Sequence, residues 1–218
     1  MLEWSQIIQS LPMLLAGLWS TLQMSAVGLA IGFVIAVGVC GLRLSPRAVL
    51  RRLGGAYITI FRGVPLLIQL LFLYNVLPRL GLGVTPVVAA IAGLSLCCGA
   101  YIAEILRGGF LTLPKGQAES ALMLGLSHRA LLLRIQIPQV VRLTSPALVN
   151  EVILLIKASS LISVVGISEL TRTAQNLAAS TFLQLEFYLA AAALYCVLNV
   201  SLALLGSWLE IRLRRSGA

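Results

Sequence analysis

The residues of this sequence that could do chemistry stand where apolar residues are expected. Glu104, Asn150, Glu151 and Lys157 all lie within or at the ends of long apolar runs. A charge at bilayer depth is costly, so such residues are paired, line water, or serve a function. Glu104 and Arg107 are three apart, the spacing of an ion pair along one helix. Arg62, between Phe61 and Gly63, is placed to snorkel to an interface. Asn150 and Lys157 are seven apart, so on a helix they share a face near Leu154, and Glu151 and Ala158 share the neighbouring one. A run that also holds Ser159 and Ser160 does not suit lipid. It suits a subunit interface or a water-filled path. Two readings stay open: a polar network that ties helices together, and a path that offers a cation and hydroxyls to a carboxylate. Gln69 is a further path candidate, or an ordinary interhelical hydrogen-bonding residue.

The elements that position these groups are membrane spans. The 218 residues are 59% hydrophobic and only 11% charged. Soluble domains run near 45–50% apolar and about 25% charged. A span needs about 20 mostly apolar residues. Five stretches qualify, at about 14–42, 57–77, 86–106, 146–170 and 187–211, which predicts one all-α membrane domain over 1–218. Basic residues then sort by side. Arg43, Arg47, Arg51, Arg52, Arg107, Lys115, Arg129, Arg134, Arg142, Arg212, Arg214 and Arg215 fall on one side, and only Arg79 and Arg172 on the other. The positive-inside rule puts the N-terminus outside, the C-terminus in the cytoplasm and the loop 107–142 in the cytoplasm. The opening MLEWSQIIQSLP has no basic leader region and does not read as a cleaved signal.

Several classes of function drop out. The net charge of +9 does not signal nucleic-acid binding, because the cations sit in short loops as orientation signals. All seven acids are Glu, which leaves little for carboxylate-pair catalysis or an oxygen-ligand metal cage. Cys40, Cys97, Cys98 and Cys196 lack metal-ligand spacing and read as small buried residues. His128, the single histidine, lies in the loop beside Arg129. There is no G-x-x-x-x-G-K-[ST] phosphate loop, so any ATP must be handled by another subunit.

The loop carries its own pattern, GQAESALMLGLSHRALLLRIQIPQ over 116–139. Gly116–Leu124 reads as a short helix, and Gly125 stands where a left-handed C-terminal cap wants glycine. Ser127 can cap a second helix, in which Ala130 and Leu133 continue a stripe from Leu122 and Leu126. Pro138 is expected to interrupt the chain, and Ser145-Pro146 to open the fourth span. Periodicity alone leaves a helix lying on lipid and a knob docking in a partner's groove both open.

Glu119-Ser120-Ala121, then Gly125, then Ile135-Gln136-Ile137-Pro138, resembles the EAA loop of importer-type ABC permeases, Glu-Ala-Ala, a spaced Gly, then Ile-x-Leu-Pro. Ser120 replaces an Ala and Ile137 a Leu. The stretches 15–22, 61–70 and 99–109, with Pro138-Gln139, Asn150-Glu151 and Lys157 through Leu161, are similar to the polar-amino-acid (histidine/glutamine) branch across nearly the whole chain. The resemblance implies a type I importer permease whose Glu119, Ser120, Ala121, Gly125, Ile137 and Pro138 couple to an ATPase subunit. It implies two ATPase subunits holding ATP and Mg, a second permease chain, an extracytoplasmic binding protein and a bacterial inner membrane, with no cofactor on this chain. Ala158 stands where the family often carries an acid, which disfavours a basic substrate bound by this chain. An ion-gradient transporter using Glu104, Glu151 and Lys157 as a relay is the alternative.

Overall fold

In lipid a backbone must satisfy its own hydrogen bonds, so apolar runs of this length become helices. The computed structural model describes residues 4–215, and every regular element among them is helical. Met1–Glu3, part of the stretch read for a leader, lies outside the described residues, as do residues 216–218 and the side chains of Arg214 and Arg215. The elements are α1 (Trp4–Leu44), α2 (Ala48–Gly63), α3 (Leu66–Leu71), α4 (Pro86–Thr112), α5 (Lys115–Met123), α6 (His128–Ala130), α7 (Ile137–Ala158), α8 (Leu170–Thr181) and α9 (Gln184–Arg215). Four helical stretches are long and apolar enough to cross a membrane, and a bent pair makes a fifth.

That bent pair corrects the second expected span. The stretch 57–77 is not one straight helix: Ala48–Gly63 and Leu66–Leu80 meet at 100°. Pro65 is the cause. It lacks an N–H and pushes the preceding residue out of the helical region, and Val64 is extended at φ −97, ψ 131. Beyond α3 the chain widens through a π turn, Phe72–Val76, and then tightens through a 3₁₀ turn, Pro78–Leu80.

The fourth span is also corrected. Neither Pro138 nor Pro146 breaks it. His128–Val165 is one helical stretch of 38 residues, with a π turn at Leu131–Gln136 and a 3₁₀ end at Ser159–Val165. Pro138 stands directly after the π turn Leu131–Gln136, where the hydrogen-bonding register of the helix changes. Pro146 lies inside α7, and Ser145 Oγ donates to Arg142 O at 3.0 Å instead of capping.

α1 and α4 run side by side in parallel. Gly28 meets Leu94, and Gly32 meets Ser95, Cys98 and Gly99. A Cβ on Gly32 would stand 3.0 Å from Ser95 O, and one on Gly99 would stand 3.1 Å from Gly32 O. Small residues let the two backbones approach this closely. The main core forms around them from Cys40, Leu94, Cys98, Ile102, Val140 and Ile162. A second cluster joins Leu14 of α1, Leu170 and Ala174 of α8, and Phe187 of α9. On α9, Tyr188 and Trp208 are exposed, and Arg212 stacks over Trp208 at 4.0 Å. Twenty residues of helix rise about 30 Å, the thickness of a hydrocarbon core, so the two aromatics mark its edges.

Candidate functional site

The loop between α4 and α7 forms a knob. α5 ends at Met123, and Gly125 adopts φ 80. Gly125 N donates to Leu122 O at 3.0 Å and Leu126 N to Ala121 O at 3.1 Å. These are the two bonds of a Schellman cap, which needs a left-handed residue at that point. Ser127 Oγ then accepts from Ala130 N at 3.3 Å and starts α6. Ala121 and Leu131 turn inward, while Leu122 and Leu133 are exposed. Met123 and Leu124 stand out at 89% and 82% exposure, and Glu119 and Ser120 are exposed beside them. Covering such a side chain yields about 1.5–3 kcal/mol. The turn therefore presents two large apolar side chains on a fixed backbone. Ile137 is half-buried and Pro138 exposed, one helical stretch further on.

The polar groups in the spans separate into different settings. Glu104 and Arg107 pair through two bonds, Nε to Oε1 at 2.9 Å and a terminal guanidinium nitrogen to Oε2 at 2.7 Å. Arg43 joins from α1 at 3.6 Å. Glu104 is thus held in an ion triad between the end of α1 and the part of α4 about two turns before its end, and a proton relay through it finds its carboxylate already committed. Arg62 lies over Tyr101, 4.9 Å from the ring centre, and its charge reaches both Glu104 and Glu151.

Gln69 is placed at the helix break. Its Nε2 donates to Phe61 O at 3.0 Å and Val64 O at 2.8 Å. It satisfies carbonyls that Pro65 leaves without helical partners. Gln69→Leu is expected to destabilise the protein by about 1 kcal/mol or more, since the part-buried bonds to both carbonyls are lost. Thermal unfolding of the purified variant checks this; lost uptake with unchanged stability would return Gln69 to the path.

On α7, Glu151 is buried, whereas Asn150, Leu154 and Lys157 are exposed along one face. Ser159 Oγ donates to Ile156 O and Ser160 Oγ to Lys157 O, both at 2.8 Å. In this arrangement their protons are held by their own helix. Ala158 is half-buried between them and Lys157. Lys157 and Asn150 remain as open polar groups on an otherwise apolar face.

One polar centre escaped the sequence. Glu169 is fully buried at the N-terminus of α8. Its Oε1 accepts from Arg172 N at 2.8 Å, and its Oε2 from Thr171 N at 2.9 Å, Tyr195 OH at 2.8 Å and Thr21 Oγ1 at 3.4 Å. Thr21 Oγ1 also accepts from Leu170 N at 3.2 Å. A carboxylate suits a helix N-terminus. Here it also ties α8 to α1 and α9. The visible signal was a Glu directly before the amphipathic stretch that became α8.

The chain matches the family of binding-protein-dependent transport system inner membrane components over residues 28–215. It belongs to that family. This permease is 34% identical over 214 residues to the arginine transport system permease protein ArtQ of Bacillus subtilis (strain 168), covering 98% of each chain. It is 35% identical over 214 residues to the glutamine transport system permease protein GlnP of Escherichia coli (strain K12), covering 97% of this chain and 98% of that one. A crystal structure of an amino acid ABC transporter with histidines superposes with a TM-score of 0.91 at 32% identity, over 97% of this chain and 99% of that one. The permease is therefore the membrane component of an ABC transporter and not its ATP-hydrolysing subunit.

Proposed function

We propose that this permease imports a polar amino acid, with the α5 knob seated in a groove of an ATPase subunit. The observation that carries the reading is the knob itself, with Met123 and Leu124 exposed on a turn locked by Gly125. Two ATPase subunits hold ATP and Mg²⁺, close on binding it, and move the knobs. A binding protein delivers substrate on the far side. Relatives named for arginine and glutamine transport support an amino acid as cargo. The knob, the basic loops and the C-terminus lie in the cytoplasm of a bacterial inner membrane, and the N-terminus lies outside, in line with the positive-inside rule.

A second permease chain packs against the α7 face of Asn150, Leu154 and Lys157, because polar groups on such a face do not suit lipid. Lys157 then stands where a substrate carboxylate can be met between two chains. Lys157→Ala is expected to lower uptake about tenfold or more, the worth of a charge-assisted hydrogen bond, while the thermal midpoint holds. Equal losses of uptake and stability would make Lys157 a structural strut. The whole reading is tested by purifying the tagged permease from native membranes in mild detergent, identifying the co-purifying chains and assaying ATP hydrolysis. Transport by the chain alone, with no ATPase subunit, would overturn it.

A further inference from the structure

An apolar groove of about 470 Å³ runs down the outside of the bundle between α1, α4 and the start of α7. Phe33, Gly41 and Leu44 of α1 line it with Leu132, Val141 and, from α4, Phe110. From Phe33 to Leu44 the helix rises about 16 Å, close to half of a hydrocarbon core of about 30 Å. The groove ends where α1 and α4 end, beside the Arg43–Glu104–Arg107 triad, so it occupies one leaflet. Its mouth is basic. Arg47 stands three residues beyond Leu44 and Arg129 three before Leu132, and both are exposed. Val141 and Asn150 are nine residues apart, about 180° around α7, so a second permease on the Asn150–Lys157 face leaves the groove to lipid.

We propose that this groove holds an acyl chain of an anionic phospholipid of the cytoplasmic leaflet, with the headgroup phosphate at Arg47 and Arg129. The leaflet rests on the orientation given above; the chain site and the charge preference do not. The length fits one chain, the walls offer nothing polar, and the cations sit where the headgroup emerges. Basic residues near a membrane surface favour anionic lipid by about fivefold each.

The test uses the whole complex, in mild detergent, supplied with phosphatidylglycerol or phosphatidylcholine, with bound lipids counted by native mass spectrometry. Gly41→Phe fills the groove, and nothing lies within 4 Å of a Cβ added at Gly41, so the variant should fold. Wild type is expected to retain phosphatidylglycerol over phosphatidylcholine by at least about fivefold. Gly41→Phe is expected to lose that retained lipid, and Arg47→Glu with Arg129→Glu to keep a lipid but lose the preference. Equal retention in wild type and Gly41→Phe would overturn the proposal. So would a crosslink from Gly41→Cys to another protein subunit, which would make the groove a protein interface. Counting lipids requires no transport, so a failure here leaves the importer reading standing.

Discussion

Gly125→Val is expected to leave the complex hydrolysing ATP while uptake falls to background. Valine at φ 80 costs at least about 1–2 kcal/mol, because a Cβ in the left-handed region meets the carbonyl that follows. The branched side chain adds to that. The cheapest escape is to unwind the cap, which frees the carbonyls of Ala121 and Leu122 from the amides of Leu126 and Gly125. Met123 and Leu124 then lose their fixed direction, although they remain in the chain. Because the knob lies outside the buried core, insertion and the thermal midpoint should barely change. Gly125→Asn is the control: asparagine tolerates the left-handed region, so most uptake should survive. The measurement is the ratio of substrate imported to ATP hydrolysed in proteoliposomes. Full uptake by Gly125→Val would mean that the turn does not transmit force.

How much of this could be read beforehand follows from where the energy lies. Five apolar stretches, the Gly125 cap and the Ser127 cap are local properties, set by composition and by backbone conformation within a few residues. Glu104 with Arg107 is local too, and its ion-pair partner Arg43 is added from far along the chain. The prolines misled because their effect depends on register. Pro65 bends the chain by 100°, while Pro146 sits in a helix that runs straight through it. Nothing in either dipeptide separates the two; the neighbours that take up the freed carbonyls do. Gln69 could be read as a pathway residue or as an ordinary hydrogen-bonding one, and its partners Phe61 O and Val64 O exist only once the bend is made. Glu169 was hidden for the same reason. Its partners at 171 and 172 stand at helix-cap spacing, but no spacing rule joins it to Thr21 and Tyr195.

Glu169→Ala is expected to be the more damaging of the two glutamate truncations, well beyond Glu104→Ala. The Glu104 pair keeps part of its surface exposed, so when Glu104 is removed Arg43 and Arg107 can carry their charges toward the interface and the loss is limited. Glu169 is at 0% exposure. Its removal takes the acceptor from the Thr171 and Arg172 amides and a partner from Tyr195, in bonds that are part-buried. Each buried group left unpaired costs about 1–3 kcal/mol, so a total of about 3 kcal/mol or more is expected. Tyr195 keeps its contact with Thr171 Oγ1 at 3.2 Å, which limits the loss on α9. Glu169→Gln retains an acceptor for the α8 amides and should recover part of the stability. Thermal unfolding gives the magnitude, and amide hydrogen exchange gives the place: the first turn of α8 should open while α4 stays protected. If α8 exchanges as slowly in Glu169→Ala as in wild type, the carboxylate does not hold that helix to α1, and the packing of Leu170 and Ala174 against Leu14 does so alone.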